Sequence, residues 1–134
     1  MDRRTARACA MKLVYKWLMG GDGGNDTLIG MLEIKPDEKE SDFMTTLFEG
    51  VKTFKDELDA EIVDYLDPSW RLDRVSKVDY SILLVAVYEL LHTSLSESIV
   101  INEAVELANI YSEDKAGAFV NGLLGSISRS RANA

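Results

Sequence analysis

Cysteine and histidine occur once each in this 134-residue chain and proline only twice. Nor does any window hold the 18 or more consecutive apolar residues that a membrane-spanning helix needs. One cysteine makes no intrachain disulfide, and one cysteine with one histidine cannot build a four-ligand zinc site. A lone thiol fits a reducing compartment, and the arginine-rich start lacks the apolar run and small-residue cleavage site of a signal peptide, so a cytoplasmic location is expected. With 46% apolar residues, a chain of this size buries roughly 65 to 70% of its unfolded surface and needs no cross-link or metal. The formal charge of −8 argues at first against a polyanionic partner.

That charge is unevenly placed, and an average hides local fields. Arg3, Arg4, Arg7, Lys12 and Lys16 stand against Asp2 alone in residues 1–17, which leaves +4 there. Lys115, Arg129 and Arg131 give +3 in residues 115–134, so the body between must carry −15. Two basic ends flank an acidic middle.

Apolar residues recur at helical spacing throughout. Ala6, Ala10, Leu13, Val14, Trp17 and Leu18 predict an amphipathic helix over 3–19, capped by Asp2 and closed by Gly20-Gly21. The glycine-rich stretch over 20–24 reads as a turn. As a phosphate cradle it fails, because it follows a helix rather than a strand and lacks the Gly-Lys-Ser/Thr ending. Leu28, Ile29, Met31 and Leu32 suggest a short helix before the polar stretch around Pro36. Phe43, Leu47, Val51, Phe54, Leu58, Ile62 and Leu66 predict a helix over 42–66 capped by Ser41, with a break near Asp56–Asp59 and an end at Asp67-Pro68. A short helix around Trp70–Val75 follows. Val78–Leu91, apolar nearly all round and expected to be capped by Asp79, should be the central and most buried helix. Two more helices are expected over about 98–111 and 115–130. The fold class is therefore all-α, with a division at Asp67-Pro68 into an N-terminal subdomain, 1–67, and a C-terminal one, 68–134, within one compact domain.

Catalytic signals are thin, and neither a catalytic nor a metal-binding set is assigned. His92 ends the central helix without a nucleophile motif, and a general base needs a positioned partner. Cys9, among alanines and leucine on a helix, reads as a small buried hydrophobe. Glu103 and Glu106 share a helix face, but a di-iron site built on that spacing needs Glu-x-x-His; they read instead as helix-start glutamates favoured by the dipole. No cofactor is expected. The first helix says more: its arginine forks match phosphate geometry, and Tyr15 can stack on an unpaired base. A basic helix alone is equally compatible with a membrane surface, a protein partner or a solvated face.

Larger blocks sharpen this. Arg3-Arg4-Thr5-Ala6-Arg7-Ala8-Cys9-Ala10 with Leu13-Val14-Tyr15-Lys16-Trp17 resembles the opening helix of the NusB family of transcription antitermination factors. The resemblance runs in order through Phe43, Leu47, Gly50-Val51, Leu58-Asp59 and Trp70-Arg71-Leu72-Asp73-Arg74-Val75. It is strongest in Ala86-Val87-Tyr88-Glu89-Leu90-Leu91, Ile101-Asn102-Glu103-Ala104-Val105-Glu106-Leu107-Ala108 and Phe119-Val120-Asn121-Gly122-Leu123-Leu124. Thr5, Leu84 and Ser96 depart from it: some members carry arginine at the first place, and many carry arginine at the second and proline at the third.

The resemblance implies two small helical bundles packed roughly perpendicular, and a non-enzymatic protein. It implies binding of boxA-type single-stranded RNA in nascent ribosomal RNA transcripts, together with a ribosomal small-subunit protein acting as NusE, within the RNA polymerase antitermination complex. By position, the RNA-binding set is Arg3, Arg4, Arg7, Lys12 and Tyr15, with Tyr65, Phe119 and Asn121 around the same surface. The protein partner would engage the helix beginning at Asp79, with Tyr88 and Glu89. Monomer and homodimer are both compatible. The competing expectation is a helical interaction module that keeps the fold without RNA binding. An RNA methyltransferase carrying this domain is set aside, because 134 residues leave no room for a Rossmann-like catalytic unit.

Overall fold

A computed structural model describes residues 2–20 and 38–132, with side chains from 42 onward in the second stretch. Five α-helices occur among the described residues: α1 Arg3–Leu18, α2 Glu38–Tyr65, α3 Lys77–His92, α4 Glu97–Tyr111 and α5 Ala116–Ala132. A single 3-10 turn, Leu72–Arg74, links α2 to α3, and no strand is present among those residues, in keeping with the all-α expectation. The apolar cluster at 28–32, Pro36 and most of the glycine-rich stretch lie outside them.

Helix ends follow local chemistry. The Asp2 carboxylate accepts the Thr5 amide at 2.8 Å, as a cap should, and that bond holds its pKa below the ordinary carboxylate value. Past the other end of α1, Gly20 takes φ of +93°, the left-handed backbone that closes a helix and that residues with a Cβ rarely adopt. Ser41 is not the cap of α2, because the helix already begins at Glu38. The expected break is real but lies at Phe54, whose φ of −107° and ψ of 18° leave the helical region. Beyond the break, the Asp59 carboxylate accepts from Lys55 Nζ at 2.7 Å and from the Tyr80 hydroxyl of α3.

Asp79 likewise is not the cap of α3. Ser76 is, accepting the Asp79 amide at 3.1 Å, which frees the Asp79 carboxylate to accept the Ser112 hydroxyl at 2.6 Å just past α4. All residues from Tyr80 to Leu90 are buried, and α3 packs against each of the other four helices. An element apolar on every side has no solvent face to offer, so it becomes the axis of the molecule. Around that axis α1 pairs with α2, and α4 with α5. The α2–α3 crossing is close: a Cβ on Gly50 would come within 2.3 Å of the Tyr88 ring. Cys9 is completely buried, and burial pushes its thiol pKa up.

Candidate nucleic-acid interface

The residues of α1 divide by depth. Arg3 is exposed, with its guanidinium 4.3 Å above the Phe43 ring. This cation–π contact packs the guanidinium against α2. Arg4 keeps 58% of its side chain exposed while Nε and Nη2 donate to the two Glu103 carboxylate oxygens at 2.9 and 3.1 Å. The two-point bond orients the guanidinium plane and raises the arginine's pKa further. Glu103 is thus not a helix-start glutamate; it stands inside α4 and fixes a cation of α1.

Arg7 departs from the expected set of surface cations. It is 5% exposed, and its Nε donates to both oxygens of Glu89, at 3.0 and 3.1 Å. Its helical position points inward to α3, where an unpaired charge would be too costly, so the carboxylate opposite it is its partner. Glu89 is 1% exposed and Tyr88 is also buried, so neither offers the partner surface expected of it. Burial drives the Glu89 carboxyl pKa up, against the opposing pull of Arg7. Tyr88 stacks on His92, ring centroids 5.2 Å apart, and His92 stacks on Phe54 at 4.1 Å while its Nε2 lies 3.0 Å from Glu57 Oε1.

Lys12 and Tyr15 meet a residue that sequence reasoning did not single out. Tyr111, at the end of α4, has its ring centroid 4.7 Å from Lys12 Nζ. Lys12 and Tyr111 line two adjoining depressions: one of about 150 Å³ with Met11, Tyr15 and Val78, and one of about 310 Å³ with Arg4, Thr5, Ala8, Leu107 and Ile110. Cations therefore rim an apolar floor, the combination that takes a phosphate chain and its bases together.

Tyr65 and Phe119 form a second group. They share a depression of about 360 Å³ with Leu66, Asp67, Trp70 and Gly122. Trp70 and Phe119 also line another of about 380 Å³, with Arg74, Asp79 and Lys115. Asp79, of the expected partner set, thereby lines a surface depression. Asn121 is exposed on α5 but lines neither depression. Consecutive residues of α3 belong to the two groups: Val78 lines the Tyr15 depression and Asp79 the Phe119 one.

Trp70 was legible only as part of a sequence block, and Tyr111 only as the last aromatic of a helix. No spacing rule connects either to the sites they join.

The NusB family profile matches residues 4–129. The transcription antitermination protein NusB of Acetivibrio thermocellus is 36% identical over 129 residues, covering 95% of this chain and 88% of its own length. That of Finegoldia magna is 37% identical over 137 residues, covering all of this chain and 98% of its own. Among solved structures, NusB of T. maritima superposes with a TM-score of 0.84 at 30% identity, over 96% of this chain and 92% of that one. A chain from the crystal structure of antitermination factors NusB and NusE in complex with double-stranded RNA superposes with a TM-score of 0.81 at 28% identity, over 96% of each.

Proposed function

The chain belongs to the NusB family, and from that premise we propose that it is a transcription antitermination factor which binds RNA jointly with the ribosomal protein NusE and acts within the transcribing RNA polymerase complex. The RNA is a boxA-type strand of nascent ribosomal transcripts. The role is one of binding, not catalysis, and its place is the cytoplasm, where transcripts are made; no described helix is long and apolar enough to cross a membrane.

One observation carries this reading above the others: Arg4 and Lys12 of α1 rim an apolar floor that includes Tyr15 and Tyr111, with Arg3 exposed beside Arg4 in the chain, on a protein whose total charge is −8. Arg3 and Arg4 are braced by Phe43 and Glu103, and Lys12 lies against Tyr111. Phosphates meet side chains already oriented, so less freedom is lost on binding. Arg7 contributes by anchoring α1 to α3, and the RNA-facing set becomes Arg3, Arg4, Lys12, Tyr15, Tyr65, Phe119 and Asn121. The acidic body suits a basic ribosomal protein, with Asp79 at its accessible edge. When both proteins bind one strand, each raises the effective concentration of the other for it.

The test is a titration of boxA-type RNA with and without NusE at two salt concentrations. Weak binding by this chain alone, tightened by NusE and falling steeply with salt, is expected. RNA binding that NusE leaves unchanged would overturn the joint mechanism, and failure to bind even with NusE would leave an interaction module without RNA function.

A further inference from the structure

We propose that Trp70 is an RNA-contacting residue: with Phe119 it forms an aromatic wedge between two surface depressions, over which unpaired bases of the bound strand stack. The inference rests on the RNA-binding reading above and names a residue and a mode of contact within it.

The wedge begins in the backbone. Asp67-Pro68-Ser69-Trp70 is a tight turn in which the Trp70 amide donates to the Asp67 carbonyl at 2.8 Å. The Asp67 carboxylate also accepts the Ser69 amide at 2.8 Å and the Ser69 hydroxyl at 2.6 Å. Proline in the second position presets the chain direction, and aspartate in the first locks the turn from its side chain. This turn holds out a large aromatic ring that remains 52% exposed. The ring lies nearly parallel to Phe119, at 23° and 6.1 Å between centroids. Single exposed apolar residues are ordinary on protein surfaces. Here the exposed ring is fixed by a turn, stacked on a second ring, and flanked on both sides by concave space of about 360 and 380 Å³.

The surroundings select the occupant. Arg74 and Lys115 line one flank with Trp70, which places cations where a backbone phosphate would pass, while Glu113 on the same flank offers an acceptor to a base amino group. Tyr65 and Ser126 line the other flank, supplying a further ring and a hydroxyl. Flat aromatic faces with cations at the rim take unpaired nucleobases with little sequence preference. A base still stacked within a duplex presents only its edge and cannot use them. Asp79 on the Lys115 flank follows Val78 of the Tyr15 depression in the chain of α3.

Trp17 and Trp70 are the two tryptophans of the chain, which makes the test optical. In Trp17→Phe, Trp70 is the sole tryptophan emitter. A dye-labelled boxA-type single strand is titrated in the presence of NusE, with dye anisotropy reporting binding and Trp70 emission reporting contact. The expected result is quenching of Trp70 by half or more, in step with anisotropy and much reduced with the same strand in duplex form. Trp70→Ala should weaken single-strand binding about 5- to 100-fold with circular dichroism and NusE affinity preserved, and Trp70→Phe should stay within about threefold of wild type, as expected for one stacked base. Should Trp17→Phe unfold, fluorotryptophan labelling of the unmutated protein separates the two residues by NMR.

Binding seen by anisotropy with Trp70 emission unchanged, quenching by NusE alone with no further change on adding RNA, or undiminished affinity in Trp70→Ala would overturn the wedge and leave the antitermination reading intact. No anisotropy change with either strand would overturn both.

Discussion

Arg7 and Glu89, 82 positions apart in the chain, form an ion pair inside the protein, with the arginine on α1 and the glutamate on the central helix. The pair turns one arginine of a basic helix into the joint that fixes where the others point. Its energetics separate it from the surface cations. Removing Arg7 alone leaves a buried carboxylate without its counter-charge, and Arg7→Ala should lose about 3 to 5 kcal/mol of unfolding free energy in a denaturant titration. Replacing both partners, Arg7→Met with Glu89→Leu, should recover most of that loss. The double variant should also bind RNA nearly as well as wild type, which a phosphate-contacting Arg7 would not permit.

The cations nearer the surface should behave in the opposite manner. Substituting Arg3, Arg4 and Lys12 with alanine should leave stability nearly unchanged, since pairs with a solvent-exposed cation such as Arg4–Glu103 contribute little. The dependence of log affinity on log salt should become shallower by about two, at roughly 0.7 for each single-strand phosphate that no longer meets a cation. A filter-binding series over salt measures it, and an unchanged slope would remove α1 from the RNA-binding surface.

Gly50 predicts a packing limit. A methyl group there meets the Tyr88 ring at 2.3 Å, and that ring is stacked against His92. Alanine is the better helix former by about 1 kcal/mol, but forced overpacking costs about 1 to 3. Gly50→Ala should therefore be destabilising, by about 1 kcal/mol. Thermal melts of Gly50→Ala and of Gly50→Ala with Tyr88→Leu would test the clash, because the smaller partner should relieve it.

Tyr80 sets a pH window. Burial, reinforced by the bond its hydroxyl donates to Asp59, raises its pKa from 10.0 to about 12. A phenol whose pKa is higher in the folded state stabilises the fold fully below the unfolded value and progressively less as pH climbs through the folded one. Stability should hold to about pH 10 and decline toward about pH 12. Near-ultraviolet tyrosinate absorbance should show one late-titrating tyrosine, missing in Tyr80→Phe. A titration identical in Tyr80→Phe would contradict the assignment.

Periodicity made the helices legible because each had to bury one face, and α3 was legible as the centre because it had no polar face. The caps were read less well. Ser41 and Asp79 have the right chemistry for a helix start, but Ser76 lies one turn before Asp79 and takes its amide, while α2 begins before Ser41. Charge was the least legible property. Arg3, Arg4 and Arg7 look alike in sequence, yet their depth depends on which residue of another helix each one meets, and Phe43, Glu103 and Glu89 are 36 or more positions away. Tyr88 and Glu89 were misplaced for the same reason: a motif marks a position as constrained without telling whether a partner or the core constrains it.

The buried thiol of Cys9 makes the protein its own clock. As the chain's one cysteine, with no exposed surface, it can react with a thiol reagent only when α1 lifts from the bundle. Its labelling rate therefore counts openings of the helix that carries the basic edge. Ligands that hold α1 in place should slow that rate in proportion to how tightly they bind, so a single unmodified sulfur atom can report, in molecules without any probe, how firmly the arginine-rich helix is seated.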